Sequence, residues 1–242
     1  MKKILFILLA GLLMWSCSKE DNESSSDNVA NSAGVYKTGS YMESFFTPHC
    51  LALIIPVYLD DQDATFIADI SVFNVSGVKS TSYYPNYSWC HDSILSKFHE
   101  YAVFYGDTSF WGRHSQVRNG NGCMMPLKSI SIVADKDFDE AHPAGALLND
   151  LFDIRYPRYN SFIKNGYEPN DYDNVRDYSL DSISHLSDFK GEILFPERAK
   201  FYLKNHPSGK GKYTFTVTFT FDKDPVSGAS LELAPASIEI EF

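Results

Sequence analysis

Three aspartates at alternate positions are the first residues in this sequence whose spacing suits a metal ion. Asp135, Asp137 and Asp139 lie in the segment DKDFDE, and oxygens at alternate positions open an EF-hand calcium loop. The loop does not continue, because Glu140 occupies the sixth place, which needs glycine, and Ala146 occupies the twelfth, which needs a bidentate glutamate. The segment therefore predicts a solvated turn after a strand, and we expect no metal and no cofactor.

Catalytic motifs are incomplete in the same way. The segment from His99 to Val103 begins like the zinc-protease motif HExxH, but Val103 stands where the second histidine ligand is required. The sequence contains no GxSxG segment that would expose a serine nucleophile. Two carboxylates flanking a glycosidic bond remain a candidate chemistry, although spacing singles out no pair. No catalytic residue is therefore predicted.

Three cysteines beyond the amino-terminal segment allow one disulfide bond. Cys50, Cys90 and Cys123 are an odd number, so in an oxidising compartment two are expected to pair and one thiol is left over. The sequence does not determine which two pair. A zinc site that also uses His49 and His91 is the alternative, but no CxxC or HxxxH spacing supports it.

Aromatic residues are concentrated in segments without strand periodicity. Tyrosine and tryptophan combine a flat apolar ring with a polar group and are common at binding hot spots. Two interpretations stay open: the rings form a recognition surface on long loops, or the loops fold back and bury them. The candidate ligand-binding aromatics are Tyr83, Tyr84, Trp89, Trp111, Tyr156 and Tyr159.

The elements that would position these residues are mainly strands. In YTFTVTFTF, residues 213–221, aromatic and apolar side chains alternate with threonine, which predicts a strand with one buried face. The segment 237–242 repeats the alternation, and 222–228 between them is a turn with Pro225 and Gly228. Further predicted strands cover 51–59, 65–75, 101–105, 127–134 and 199–204.

One short helix is predicted over residues 142–154, where apolar residues recur at helical spacing. Short strands separated by turn-rich segments favour an antiparallel β-sandwich. The predicted fold is therefore mainly β, an immunoglobulin-like sandwich with one short helix and long aromatic-rich loops. It forms a single domain over residues 41–242.

The amino-terminal segment has the layout of an export signal. Lys2 and Lys3 precede an apolar run from Ile4 to Trp15, which is shorter than the roughly 20 residues that a membrane-spanning helix needs. Ser16 and Cys17 follow, and then a run rich in acids, serine and asparagine. Residues 1–16 are predicted as a signal peptide, and residues 17–40 are predicted as a flexible tether because they have too few apolar side chains to fold.

This layout resembles the signal of bacterial lipoproteins, in which the cysteine after the cleavage point receives acyl chains and becomes the mature amino terminus. The resemblance implies lipidation of Cys17, and an ordinary secretory signal cut elsewhere is the alternative. The acids after Cys17 resemble the export signal of Bacteroidetes outer-membrane lipoproteins, which implies display on the cell surface. The segment SISIVADKDFDEAHPAGALLNDLF resembles an uncharacterised family of such lipoproteins, and this resemblance brings no catalytic residues to carry over.

The net charge of the chain narrows the classes of binding partner. Lys and Arg number 21 against 31 Asp and Glu; removing Lys2 and Lys3 leaves 19 against 31, a net charge of −12. Such a chain has no basic surface for nucleic acid, so its predicted partners are the outer membrane, through the acyl chains, and a glycan or envelope-protein ligand. We expect a lipid-anchored, non-catalytic binding protein of the cell surface; a secreted glycoside hydrolase with two carboxylates is the alternative.

Overall fold

The structure is a computed structural model that describes residues 39–54, 65–69, 82–83, 92–110, 120–167, 181–192 and 194–242. We call residues 39–242 the body. Its elements in chain order are β1 (Met42–Phe46), β2 (Ala52–Ile54), β3 (Thr65–Asp69), β4 (Ser82–Tyr83), α1 (Asp92–Tyr105), β5 (Gly120–Cys123), β6 (Leu127–Ala134), β7 (Phe152–Pro157), α2 (Tyr159–Lys164), β8 (Asp181–His185), β9 (Arg198–Leu203), β10 (Lys212–Phe221) and β11 (Ala236–Glu241).

The described strands form three sheets. The largest has the order β2-β3-β9-β7-β8, the second has the order β11-β10-β6, and the smallest has the order β4-β1-β5. The pairings are antiparallel except for that of β1 with β5, which is parallel. The mainly β prediction is therefore confirmed. None of the helices within the described ranges is both long and apolar enough to cross a lipid bilayer.

The alternation of residues 213–221 produces the predicted one-sided strand. Tyr213, Phe215, Val217, Phe219 and Phe221 are all buried, whereas the threonines between them are partly or fully exposed. β10 lies between β6 and β11, so its backbone donors and acceptors are used on both sides. The predicted strands at 127–134 and 199–204 are present at 127–134 and 198–203.

The two larger sheets contribute to one hydrophobic core. Phe152 of β7 meets Phe215 of β10 edge to face, with ring centroids 5.9 Å apart, and Phe201 of β9 lies 6.4 Å from Phe219 of β10. Such tilted aromatic pairs stabilise a core beyond the area that they bury. The packing of the two sheets is consistent with a sandwich-like fold; the immunoglobulin-like arrangement stays a prediction.

A second core lies between α1 and β1. Buried residues recur on α1 at helical spacing: Phe98, Tyr101, Ala102 and Tyr105. The three aromatic rings among them surround the ring of Phe45, with centroid distances of 5.1, 5.7 and 5.6 Å in chain order. The strand predicted at 101–105 is therefore wrong. Five residues are too few to separate the two periods, and the apolar residue one turn earlier completes a helical face.

The helix predicted at 142–154 is also wrong. Gly145 has a φ of 78°, a left-handed conformation that interrupts a helix. The segment instead covers the free edge of β6: Gly145 N donates to Ala134 O at 2.8 Å, and Leu148 N donates to Ile132 O at 2.9 Å. A short 3-10 helix follows at Asn149–Leu151, and β7 begins at Phe152. Satisfying the edge of a sheet therefore outweighs the apolar helical spacing.

Two predicted strands lie partly outside the described residues. Of the strand predicted at 51–59, the structure shows β2 at Ala52–Ile54, and of that predicted at 65–75 it shows β3 at Thr65–Asp69. These two short strands pair with each other in the largest sheet. The remainder of each prediction falls on residues that the structure does not describe.

Candidate functional site

The structure describes the side chains of two of the six candidate aromatics, and both pack against the hydrophobic cores. Tyr156 of β7 is 3% exposed, its ring lies 5.1 Å from that of Phe195, and its hydroxyl donates to Glu192 Oε2 at 3.2 Å. Burial leaves the ring of Tyr156 no free face for a ligand. Tyr159 is partly buried and packs against the second core, with its ring so close to Gly120 that a Cβ there would lie 2.4 Å from Tyr159 Cζ.

Five of the other predicted site residues lie outside the described part of the chain. Cys17, Tyr84, Trp89, Cys90 and Trp111 fall on residues that are not described. Lipidation of Cys17 and ligand binding by the four remaining aromatics therefore stay predictions. Of these four, Tyr83 is placed in β4 opposite Phe45, but its side chain is not described.

The cysteines that the structure describes lie in different environments. Cys123 in β5 is a thiol with no exposed surface, and this burial raises its pKa to about 12. A thiol that is buried and protonated at neutral pH is a poor nucleophile. Cys50 is partly exposed. The predicted disulfide bond stays a prediction, because Cys90 lies outside the described residues.

The alternating aspartates of residues 135–139 accept hydrogen bonds from three separate backbone N–H groups. Asp135 accepts from Thr214 N at 2.8 Å, Asp137 accepts from Ala144 N at 2.7 Å, and Asp139 accepts from His142 N at 2.9 Å. The carboxylates diverge to stabilise turns instead of converging on one point. Across the described residues, no group of three His, Cys, Asp or Glu side chains is placed to hold a metal ion.

His142 lies between two carboxylates in this turn, and this placement predicts a pH dependence. Its Nδ1 is 2.7 Å from Asp139 Oδ1 and its Nε2 is 3.2 Å from Asp150 Oδ2. The hydrogen bond with Asp139, assisted by the charge of Asp150, raises the pKa of the imidazole. Because the folded state then holds the proton more tightly, the stabilisation is present below the unfolded pKa of about 6.5 and is lost as the pH rises through the folded value.

We expect His142→Gln to lower the urea midpoint of unfolding more at acid than at alkaline pH. Asp139→Asn removes the partner with the larger effect on the pKa of His142 and is the matched control. In the Asp139→Asn background, the effect of His142→Gln on the urea midpoint should lose most of its dependence on pH. Midpoints measured in urea across the range from about pH 5 to about pH 8.5 cover the titration of histidine. An equal difference between the parent and His142→Gln at every pH contradicts the prediction.

A row of polar side chains crosses the small sheet and is the candidate functional site. Ser44 of β1 lies opposite Asn121 of β5, and its hydroxyl donates to Asn121 Oδ1 at 2.7 Å. The amide Nδ2 of Asn121 in turn lies 3.5 Å from Glu197 Oε2. Glu197 adjoins Pro196, which pairs with Gly122 of β5, so three neighbouring backbone segments contribute one residue each.

Glu43 joins this row through an irregularity in β1. The register of β1 against β5 shifts between Met42 and Ser44, as in a β-bulge, which redirects a side chain and is common beside functional sites. Burial, with the nearby charge of Glu197, raises the pKa of the Glu43 carboxyl. We call Glu43, Ser44, Asn121 and Glu197 the acid-amide row. Neither of its carboxylates forms an ion pair with any side chain in the described residues.

The acid-amide row offers two kinds of chemistry. Carboxylate oxygens accept hydrogen bonds from hydroxyl groups, and an amide both donates and accepts, which suits a polyhydroxylated ligand. A glutamate whose pKa is raised beside a second carboxylate is also the combination that glycoside hydrolysis requires. The sequence alone singles out neither glutamate, because the segments that contain residues 43 and 197 come near each other only through the pairing of distant strands.

A second polar cluster surrounds Asp107, which has no exposed surface. Its carboxylate accepts hydrogen bonds from Tyr41 N at 2.8 Å, from Met42 N at 2.9 Å and from the Tyr167 hydroxyl at 3.1 Å. The Ser40 hydroxyl also donates to it. Burial raises the pKa of Asp107, although these donors favour the anion. The cluster is fully enclosed, so its role is to hold the start of β1 against the loop that follows α1.

Comparison with known proteins identifies no relative: the chain matches no family model, no curated protein and no solved structure.

Proposed function

We propose that this protein is lipid-anchored in the outer membrane of a bacterial cell envelope, that its body faces outward, and that it binds a ligand without catalysis. The support for the anchor is the order of basic start, short apolar run and Cys17, followed by the acid-rich segment. One acyl chain gives only reversible attachment, whereas several chains on one cysteine hold a protein firmly. The residues between Cys17 and Gly39 are then the tether.

The point where this tether meets the body is well defined. Gly39 and Ser40 are already buried, and the Ser40 hydroxyl donates to Asp107. Gly39 O accepts from Phe110 N at 2.8 Å. A pull on the tether therefore acts on a segment that a buried hydrogen-bond network holds in place.

The acid-amide row carries the binding part of the proposal. Glu43 and Glu197 are half-buried with acceptor oxygens that no cation neutralises in the described residues. A carbohydrate hydroxyl that donates to such an oxygen replaces water with a charge-assisted bond. The ligand class is therefore a glycan, or an envelope protein that presents hydroxyl and amide donors.

Two measurements test the proposal. Mass spectrometry of the protein from its native host should show an acylated amino terminus at Cys17, and an unmodified start or a cut elsewhere overturns the anchor. The body should bind members of a panel of glycans and envelope extracts, and Glu197→Gln should weaken binding about tenfold, the effect of one lost charge-assisted bond.

Matched variants locate the binding surface. Glu241→Gln, which removes an exposed carboxylate from β11, should leave the affinity unchanged. Trp111→Ala tests whether an aromatic ring predicted from the sequence also contributes. Binding that survives Glu197→Gln but is lost in Trp111→Ala moves the site from the acid-amide row to the aromatic segments.

A secreted glycoside hydrolase is the second candidate, and the raised pKa of Glu43 beside Glu197 favours it. In that case Glu43 is the proton donor and Glu197 the second carboxylate. Incubation of the body with the glycans that it binds should then release reducing sugar, and both Glu43→Gln and Glu197→Gln should reduce the rate at least about a hundredfold. Binding without any release of reducing sugar removes the hydrolase and leaves the binding protein.

A further inference from the structure

The carboxyl-terminal end of α1 exposes two neighbouring apolar side chains. Val103 is 67% exposed and Phe104 is 49% exposed, although the opposite side of the same helix is buried against Phe45. The exposed residues that follow, Gly106, Thr108 and Ser109, are uncharged. We call these five residues the neutral tip.

The neutral tip contrasts with the charge of the whole chain. The full sequence carries a net charge of −10, and Asp107, the one charged residue between positions 103 and 109, has no exposed surface. An anionic lipid surface therefore repels most of the protein more than it repels this tip. Phenylalanine is also a residue that gains free energy at the boundary between lipid headgroups and acyl chains.

The neutral tip lies where the chain leaves the body toward Cys17. Phe110 N, directly after the tip, donates to Gly39 O at 2.8 Å, and Asp107 within the tip segment accepts from Ser40 and Tyr41. The first residues of the body and the segment directly after α1 are therefore in direct contact. Whatever holds the amino-terminal segment at a surface also brings this end of the helix near that surface.

The helix presents this tip from a fixed position. The Tyr105 hydroxyl donates to Met124 O at 2.8 Å, and the Tyr101 hydroxyl donates to Asp224 Oδ2 at 2.8 Å. The last turn of α1 is thus bonded both to the segment after β5 and to the turn between β10 and β11. Val103 and Phe104 are exposed on a helix that these hydrogen bonds hold in place, so their docking requires no rearrangement.

We infer that the neutral tip docks on the lipid surface, with the side chains of Val103 and Phe104 inserted between the headgroups. This inference rests on the proposed anchor at Cys17. If the residues between Cys17 and Gly39 form the flexible tether that the sequence predicts, they span about 25 Å on average, so the anchored protein holds the tip within reach of the lipid. A contact too weak to act alone is then sufficient, because the anchor makes it intramolecular.

Depth-dependent quenching of a tryptophan tests the docking. The chain from residue 17 to 242, with a hexahistidine tag in place of Cys17, is bound to phosphatidylcholine vesicles that contain a nickel-chelating lipid. In Phe104→Trp, brominated phosphatidylcholine should quench the added fluorescence, after subtraction of the parent signal, at least about twofold, because bromine quenches only indoles that enter the bilayer interface.

Ser96→Trp is the matched control, since Ser96 is exposed two turns earlier on the same helix. Its added fluorescence should change little with brominated lipid. Equal quenching of both variants, or quenching of neither, overturns the docking. The tag supplies the anchor in this experiment, so its result does not depend on native acylation. An unmodified Cys17 in the host would overturn the proposed anchor without changing the quenching result.

Discussion

Replacing Asp107 by alanine is expected to lower the free energy of unfolding by about 3 kcal/mol. The substitution leaves two buried backbone donors, Tyr41 N and Met42 N, without their acceptor, and it removes the partner of the Ser40 and Tyr167 hydroxyls. Each unsatisfied buried group costs about 1–3 kcal/mol. Relief from burying a carboxylate offsets part of that sum.

The loss is measurable by urea unfolding, in which the midpoint should fall while the slope of free energy against urea stays constant. Ser109→Ala is the matched control, because its side chain is exposed beside the same cluster. We expect its free energy of unfolding to change by less than about 0.5 kcal/mol. A similar loss in both variants would mean that the loop, and not the carboxylate, stabilises the start of β1.

The pH dependence of the Asp107 cluster separates the charge of the carboxyl group from its hydrogen bonds. Burial raises its pKa, so the contribution of Asp107 to stability is present at low pH and is lost as the pH rises through the folded value. Asp107→Asn keeps the shape but does not titrate. The difference in stability between the parent and Asp107→Asn should therefore shrink from acid to neutral pH, and a difference that grows would show that the four donors outweigh burial.

Strict alternation is what made part of the fold predictable. Residues 213–221 and 237–242 have apolar residues on one side and polar residues on the other. The structure places β10 there with the expected buried face and β11 with an apolar side that is partly buried against the same core. A period of two over nine residues has no helical explanation. The same signal was available for Tyr156, since Phe152, Ile154 and Tyr156 alternate with polar residues and all three are buried in β7.

The two errors of element type come from interactions between distant segments. Residues 101–105 are apolar throughout, and only their packing with Phe98 on Phe45 reveals the helical face. The apolar residues around Leu148 have helical spacing, but Asn149 substitutes its side chain for a strand partner: it accepts from Ile132 N and donates to Ile130 O. The pattern of one segment does not show that it must cover the edge of a strand that lies elsewhere in the sequence.

The candidate site could not be predicted for a related reason. Glu43 and Glu197 are isolated in sequence, and they meet because a bulge in β1 and the pairing of Pro196 with Gly122 bring their segments together. The role of Asp107 is likewise not visible in its own segment. Its role depends on Ser40 and Tyr167, which are distant in the chain. The sequence predicts sites in aromatic loops, whereas the structure brings polar side chains together at strand irregularities.

Phe215→Ala is expected to lower the free energy of unfolding by about 3–5 kcal/mol, the usual cost of an uncollapsed cavity in a core. Phe215 has no exposed surface and contacts the rings of Phe138, Phe152 and Phe242 at 6.4, 5.9 and 6.2 Å. Thr220→Ala on the exposed side of the same strand is the matched control. Its expected change is below about 0.5 kcal/mol in the same urea unfolding experiment.

A double-mutant cycle then tests whether the two larger sheets support each other. Phe152 belongs to the sheet of β7, and Phe215 belongs to the sheet of β10, so their edge-to-face contact joins the two layers. The coupling between Phe152→Leu and Phe215→Leu should be about 0.5–1.5 kcal/mol, because aromatic pairs of this geometry contribute that much beyond buried area. Losses that simply add would show that each ring is held by its own sheet, and the sandwich-like packing would then lack its central contact.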